Sequence, residues 1–439
     1  MEPVAKSPTV ERRDPDLSRA PLMNERPVGA IHRRIVALAF AAWIFDFYDL
    51  ILYSFLLVPV ARELHLTPAQ SSLALGTSLL MTALGGIVFG FLGDRLGRKP
   101  MIATTVAIYG IGTALCGFSH TLAQLILYRS ITGLGMGGGW APGQSLVAES
   151  VPAKRRARYA AYVQTGAPLG VLLAATAGGY LAPVIGWRHT FMLSAIPAVL
   201  VVAAVLKWMP ESDVWQRTRV SGSGGIDLSA MVNQTFAQTF AQILARKRIF
   251  AMLFVILLLN SEAYWFTYTW MPGYLELKRG LTASAASHLM IKMQIGGVLG
   301  YLTFGLVADR IGRRPAFCAY GLLMAAGTIP STILWDWAAT VPGLISAAMV
   351  TAGFGTGLWS GVAPMISELL PTRIRNAALG LLLNVTRGFQ FFTPLLITVL
   401  SLRLGFGAAL SLGAIFSILG ASMVWLLPET RGTSITALD

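Results

Sequence analysis

Long apolar runs recur along almost the whole of this 439-residue chain. Most of them hold about 20 residues, which is the length that a helix needs to cross a bilayer. Transmembrane strands would be shorter and would alternate apolar with polar residues. Only 12% of the residues are charged, about half the share of a soluble domain. The sequence predicts an all-α membrane protein with twelve helices, over 35–60, 71–93, 101–119, 121–145, 157–184, 188–209, 249–275, 282–307, 316–335, 341–366, 376–400 and 404–427.

The distribution of basic residues predicts how these helices are oriented. Of the 34 Lys and Arg residues, 26 fall in the two tails and the loops after even-numbered helices, and five fall in the opposite loops. Since basic loops stay in the cytoplasm, both termini are expected there, in the cell's inner (plasma) membrane. The net charge of +14 then reflects topology, and binding of nucleic acid is not expected. The polar first 30 residues are not expected to act as a cleavable signal peptide.

The two halves of the sequence repeat each other. GFLGDRLGRKP at 90–100 returns as GLVADRIGRRP at 305–315, and WMPES at 208–212 returns as LLPET at 426–430. The repeats connect loops on one side of the membrane, so the halves run in the same sense, as in many secondary transporters. The predicted parts are a cytoplasmic tail (1–34), a six-helix bundle (35–209), a cytoplasmic linker (210–248), a second six-helix bundle (249–427) and a cytoplasmic C-terminal tail (428–439).

The repeated loop resembles a family signature. Gly-x-x-x-Asp-Arg-x-Gly-Arg-Lys/Arg, found after helices 2 and 8, is typical of the major facilitator superfamily, and YRSITGLGMGGG in helix 4 is similar to its second motif. The resemblance covers the whole helical region and implies a transporter whose halves rock about a central site. It also implies a conformational latch at these loops, to which we assign Gly90, Asp94, Arg95, Gly97, Arg98, Glu149, Gly305, Asp309, Arg310, Gly312, Arg313 and Glu368. In the simpler interpretation, the basic residues only determine topology.

Two other patterns do not predict a cofactor or a metal. Gly133, Gly135 and Gly138 match the glycine fingerprint of dinucleotide-binding folds, but they lie in an apolar helix with no strand before it. Close helix packing explains them better. Cys116 and Cys318 fall inside helices, so neither a disulfide nor a metal site is predicted.

Six ionisable residues are predicted near the middle of the membrane, in five different helices. If they all faced lipid, the cost would be on the order of 15–20 kcal/mol, so we expect them to face one another or a wet cavity. They are three acids and three bases: Asp46, Asp49, Glu262, Arg129, Lys292 and Arg387. Fixed structural pairing is the alternative, above all for Arg129, because the superfamily motif carries an arginine there.

The acids are predicted to carry protons and the bases to bind substrate. A carboxylate held away from water binds a proton more readily, which favours Asp49 and Glu262, followed by Asp46. A buried arginine keeps its charge and requires an anion, so Arg387 is expected to bind an anionic substrate. The predicted substrate site comprises Arg387, Lys292, Arg129, Asn384, Gln390, Gln164, Tyr53, Asn260 and Tyr264.

The sequence DFYDL at 46–50, the ESVPAKRRAR loop and the PES and PET endings resemble the bacterial proton symporters of organic acids, including aromatic acids, sialate and other carboxylates. This resemblance implies proton-coupled transport of a small carboxylate by a monomer in the bilayer. The alternative is a proton-coupled sugar or polyol symporter, because the same endings also resemble sugar transporters. A transport-like sensor is less favoured, because the tail and linker are short. An enzyme is not expected, because the five histidines are scattered and form no catalytic set.

Overall fold

The computed structural model describes residues 22–221, 246–370 and 372–431, and every regular element within these ranges is a helix. The first half contains α1 (Ala30–Glu63), α2 (Pro68–Leu96), α3 (Arg98–Cys116), α4 (Leu122–Ser150), α5 (153–185) and α6 (187–208). The second contains α7 (Lys247–Leu277), α8 (Ala283–Ile311), α9 (Arg313–Ser331), α10 (344–369), α11 (372–404) and α12 (Phe406–Met423). The prediction of an all-helical chain in two six-helix halves is confirmed.

Several shorter elements flank these twelve helices. A 3₁₀ turn at Met23–Glu25 precedes α1, and a short helix at Asp213–Ser221 lies within the predicted linker. Eight helical stretches are long and apolar enough to cross a membrane, and one of them, Arg158–Trp208, contains most of α5 and all of α6. The rest of the predicted linker and the ends of both predicted tails lie outside the described residues.

Four of the helices, α5, α6, α10 and α11, are interrupted where the sequence predicted continuous spans, and the break in α6 is at Ser194. Helix α5 turns at Thr165, between segments Ala153–Gln164 and Gly166–Thr176, and α11 turns at 390–391, between Thr372–Phe389 and Phe392–Leu404. Each turn lies three or four residues before a proline, Pro168 or Pro394. A proline ring clashes with the carbonyl four residues earlier, which explains both positions. Helix α10 contains a 3₁₀ turn at Thr356–Leu358, shortly before Pro364.

Glycines allow the closest helix contacts, and they do so in the same way in both halves. A Cβ added to Gly133 or Gly137 of α4 would overlap backbone carbonyls of α2. A Cβ added to Gly353 of α10 would likewise overlap the backbone of α8. In a bilayer, where apolar surface is not driven out of water, such close packing holds helices together.

A glutamate caps the first turn of α3 and, equivalently, of α9. Glu211 accepts the backbone N–H groups of Arg98 (3.0 Å) and Lys99 (3.1 Å). Glu429 accepts those of Arg313 (2.8 Å) and Arg314 (3.1 Å). The preceding Gly97 and Gly312 have φ of 109° and 105°, a backbone conformation that L side chains rarely adopt. These glutamates belong to the repeated PES and PET endings, so the repeat reflects helix capping.

The halves meet where α1 packs on α7 and along two further seams, α2 with α11 and α5 with α8. At one, the hydroxyl of Ser72 in α2 donates to the carbonyl of Pro394 in α11 (2.9 Å), and a Cβ on Gly76 would overlap the carbonyl of Phe391. At the other, Gly179 in the π-helical turn of α5 lies directly against Ser287 of α8. We call the side that carries loops 90–100 and 305–315 the motif side, and the opposite side the far side. The contact between Gly179 and Ser287 lies towards the far side.

We expect Glu429→Gln to weaken the cap of α9 in a pH-dependent manner. Partial burial raises the pKa of Glu429, but backbone N–H donors lower it more, so the pKa lies below its usual value. The stabilisation is therefore present above the pKa of the unfolded chain, about 4.3, and is lost as the pH falls through the lower folded value. A lost cap costs about 1 kcal/mol. The melting temperature should thus fall at pH 7, and the difference from wild type should shrink only as the pH falls below about 4; a pH-independent difference would contradict this account.

Candidate functional site

Two buried carboxylates stand one turn apart in the middle of α1. Asp46 is 4% exposed and Asp49 is 1% exposed. The Oδ1 atom of each is buried without a hydrogen-bond partner among the described residues. Because an unpaired buried acceptor is costly, both groups have unused capacity to bind a proton, a water molecule or a ligand.

Arg129 of α4 lies beside Asp49 but is held by the backbone of α1. Its guanidinium donates to the carbonyls of Asp49 (3.3 Å) and Leu50 (3.2 Å), and it stands 5.3 Å from the ring centroid of Tyr53. The side chain is fully buried. The predicted proximity of Arg129 to a carboxylate of α1 is therefore present, but its hydrogen bonds tie one helix to the backbone of another.

Arg387 of α11 reaches from the second half to the first. Its guanidinium stands 5.8 Å from the ring centroid of Trp140 in α4, and it interacts electrostatically with Asp46. Trp140 in turn donates its indole N–H to Gln164 (3.3 Å) and packs 6.5 Å from Trp43. No ion pair or hydrogen bond of the Arg387 side chain appears among the described residues.

A small cavity separates Asp46 from these aromatic rings. It has a volume of about 10 Å³ and is lined by Trp43, Asp46, Gly139, Trp140 and Gln144, among others. The indole N–H of Trp43 and the amide nitrogen of Gln144 are buried without partners among the described residues. Such a space accommodates about one water molecule. Polar atoms from α1 and α4 thus converge on this small cavity.

Glu262 belongs to a separate polar contact inside the second half. The hydroxyl of Thr393 donates to its carboxylate (2.6 Å). Thr393 lies in the first turn of the α11 segment that follows the break at 390–391. The partial positive charge of a helix N-terminus favours a carboxylate. Glu262 is therefore stabilised by the interruption of the same helix that carries Arg387.

The remaining predicted substrate residues do not all face this centre. Tyr264 stacks on Tyr268, with ring centroids 4.1 Å apart, and contacts Trp359 edge-on. Asn260 lies against Gly420 of α12, and Asn384 lies against Gly86 of α2. Gln390 is buried beside the break in α11.

Lys292 is placed away from the other mid-membrane charges. Its ammonium donates to the hydroxyl of Ser346 in α10 (2.9 Å). Within the described ranges, it forms no ion pair with an acid. Of the six predicted charges, the structure brings together Asp46, Asp49, Arg129 and Arg387, while Glu262 and Lys292 have partners of their own.

Comparison with known proteins identifies the family. A family model described as "Major Facilitator Superfamily" matches residues 38–293 and 279–437. The chain belongs to the major facilitator superfamily. It is a transporter and not an enzyme.

Relatives in this superfamily are similar over nearly their full length. A "Putative metabolite transport protein" of Haemophilus influenzae is 29% identical over 395 residues, which cover 89% of this chain and 94% of the relative. A "Cis,cis-muconate transport protein" of Acinetobacter baylyi is 29% identical over 402 residues, or 90% and 94% of the two chains. The crystal structure of a D-xylose-proton symporter has a TM-score of 0.74 at 19% identity, covering 92% of this chain and all of that one. The last similarity concerns the fold alone.

The signature loops of the superfamily form ion pairs within each half. Arg98 pairs with Glu149 (3.0 Å), and Arg313 pairs with Glu368 (3.2 Å) and Asp309 (2.5 Å). The guanidinium of Arg95 stacks on Phe91, and Arg310 is exposed. Nothing lies within 4 Å of a Cβ built on Gly90 or Gly305. The side chain of Asp94 lies outside the described residues, and the latch remains a prediction.

Two contributors to the site of this superfamily member were missed by sequence reasoning. Trp140 supports Arg387, and Thr393 binds Glu262. Trp140 follows the glycine-rich run of α4, and Thr393 directly precedes a proline. Both signals mark an unusual backbone, but neither indicates which helix the side chain meets.

The contacts predict different roles for the two arginines. We expect Arg129→Gln to lower the melting temperature of the empty transporter. The change leaves Asp49 without its neighbouring charge and removes two hydrogen bonds between α4 and α1. Breaking a buried charge pair costs about 3–5 kcal/mol. Arg387→Gln should lower it much less. Thermal unfolding of both purified variants without substrate measures the difference, and equal losses would contradict the assignment.

Proposed function

We propose that this transporter carries a small organic anion together with a proton by alternating access. The observation that carries the proposal is Arg387, a permanent cation of the second half that reaches Asp46 and Trp140 in the first. A substrate carboxylate can form paired hydrogen bonds with a guanidinium. In doing so it would connect the two halves at the level of Asp46.

Charge balance supports the coupling of this anion to a proton. Asp46, Asp49, Arg129 and Arg387 are two acids and two bases, so the set can be neutral when the site is empty. An added substrate anion would leave one negative charge in a medium of low dielectric constant, which is costly. Protonation of Asp46 or Asp49 restores neutrality. The two carboxylates of α1 are therefore the favoured proton carriers, and Glu262 is a third candidate at the break in α11.

The size of the cavity beside Asp46 supports a moving site. Its volume of about 10 Å³ cannot hold an organic acid, so we propose that binding opens the space between this cavity and Arg387 of the second half. Movement along the α2–α11 and α5–α8 seams would do this without disturbing the glycine contacts inside each half. The latch assigned to the motif loops would then lie on the side that opens.

The similarity to a muconate transport protein supports an organic acid as substrate. A neutral sugar would leave Arg387 without an anion other than Asp46, and the similarity to a sugar symporter extends to the fold only. We further propose that the protein functions as a monomer in the inner membrane, with both termini in the cytoplasm, because the basic residues are concentrated on the motif side.

Arg387→Gln is expected to abolish substrate binding while leaving the protein folded. Removing one partner of a desolvated charge pair costs at least 2 kcal/mol, or about 30-fold in affinity. Thermal stabilisation by cis,cis-muconate and benzoate, with D-xylose for comparison, measures binding to the purified protein. Arg403→Gln, an exposed change in the same helix, is the matched control. Stabilisation by xylose alone, or by carboxylates in the Arg387 variant, would refute the anion site.

Asp46→Asn and Asp49→Asn are expected to separate transport from the proton gradient. An amide of similar size cannot take up a proton, so accumulation driven by an inward pH gradient should fall at least about tenfold. Exchange of labelled substrate across vesicle membranes at equal pH should persist. Both quantities can be measured in proteoliposomes. Full pH-driven accumulation in both variants would exclude these two carboxylates as proton carriers.

Gly179→Ala is expected to slow transport without preventing folding. The added methyl would overlap Ser287, so closure of the far side would be disfavoured and the cycle slowed. Gly380→Ala, which adds a methyl where nothing lies within 4 Å, is the matched control. Initial uptake rates and melting temperatures of the two variants measure the effect, and equal rates would show that this contact does not limit the cycle.

A further inference from the structure

A lateral groove lies between α1 and α5, apart from the transport site. It has a volume of about 340 Å³, and Arg33, Phe40, Tyr159, Tyr162 and Thr165 are among the residues that line it. Its deep end is formed where Gly166 packs against Trp43 and Ile44 of α1. From there the two helices separate towards the motif side. None of the mid-membrane charges lines the groove.

The groove opens towards the surface that faces lipid. Tyr162 is 42% exposed, and Leu173, three turns further along the same face of α5, is 39% exposed. The contact of α5 with α8, by contrast, involves Pro168 on a different face. On the other wall, Arg33 and Ala37 are exposed one turn apart. We expect apolar side chains exposed along a membrane-spanning helix to meet acyl chains, and we therefore place the groove next to the bilayer.

Basic residues flank the groove along both helices. Arg33 of α1 lines it, and Arg34 of α1 and Arg155 and Arg158 of α5 are, like Arg33, exposed. Arg158 stands over the ring of Tyr162, at 6.0 Å. Within the described ranges, none of the four has a carboxylate within ion-pair distance. The first turn of α5 contains no acidic residue, so the partial positive charge of this helix end adds to that of the arginines.

We infer that this groove binds an anionic phospholipid. The phosphate of the lipid would lie between Arg33 and Arg158, and an acyl chain would follow Phe40, Tyr159 and Tyr162 to the deep end at Gly166. Basic pockets between transmembrane helices bind anionic head groups in this manner. Aromatic rings at the membrane interface accept the apolar chain next to the polar head group. The lipid would fill the space between two helices of the first half.

The test uses the full chain, purified in detergent, and counts bound lipid by native mass spectrometry. The probes are dioleoyl phosphatidylglycerol, which is anionic, and dioleoyl phosphatidylcholine, which has no net charge. The variants are the double change Arg33→Gln/Arg158→Gln and, separately, Tyr162→Ser, which keeps the charges but removes an apolar wall. The matched control is Lys278→Gln/Arg403→Gln, which removes two exposed cations on the far side.

The wild type is expected to bind the anionic lipid in preference to phosphatidylcholine. Each arginine contributes about fivefold to affinity for an anionic lipid surface, so the double change should weaken phosphatidylglycerol binding about 25-fold. Tyr162→Ser should weaken it less, and the far-side control should bind as the wild type does. Unchanged circular dichroism and melting temperatures in phosphatidylcholine confirm that the variants are folded.

Three outcomes would overturn the inference. Equal binding of both lipids by the wild type would indicate an unspecific apolar surface. Wild-type affinity of the Arg33→Gln/Arg158→Gln variant for phosphatidylglycerol would place the lipid elsewhere. Displacement of the lipid by benzoate would assign the groove to the transport path. The proposed anion transport is tested separately by Arg387→Gln, so either proposal can fail without the other.

Discussion

The electrostatic balance among Asp46, Asp49, Arg129 and Arg387 is the constraint on which the centre of this transporter depends. In a medium without free water, each of these charges is tolerable only because another lies near it. Arg129 is bound to carbonyls of α1 and is fully buried, whereas Arg387 lies over an indole ring with no hydrogen bond among the described residues. One cation therefore belongs to the scaffold of the first half, while the other remains available to a ligand.

The glycine contacts determine what can move around that centre. Inside each half, α2 packs on α4, and α8 packs on α10, backbone against backbone, and such contacts leave no space for adjustment. Between the halves, the contacts are fewer; Gly76 approaches the backbone of Phe391, and side chains such as Ser72 and Thr398 (2.6 Å) also meet. Rigid halves joined by weaker seams are the mechanical requirement for alternating access. The interrupted helices α5 and α11 each form one side of a seam: α5 packs on α8, and α11 packs on α2.

The sequence was sufficient to predict the helices and the two six-helix halves, because the length and periodicity of the apolar runs and the repeated loops determine both. It also indicated the proximity of Arg129 to α1. It was insufficient for Lys292, Asn260 and Asn384, whose partners are Ser346, Gly420 and Gly86. The direction in which a side chain points around the helix axis depends on which neighbour packs there. A kink such as that before Pro168 or Pro394 changes this direction further.

The caps of α3 and α9 determine how independent the two halves are. Glu211 follows α6 and Glu429 follows α12, so in each case the end of a six-helix unit binds back to the start of its own third helix. Each half is thereby closed on itself, and neither cap depends on the segment that joins the halves. Splitting the chain after the first cap would leave both units with their own capping residue. Such a closed unit could have existed before the duplication that the repeat records, as one of two identical subunits.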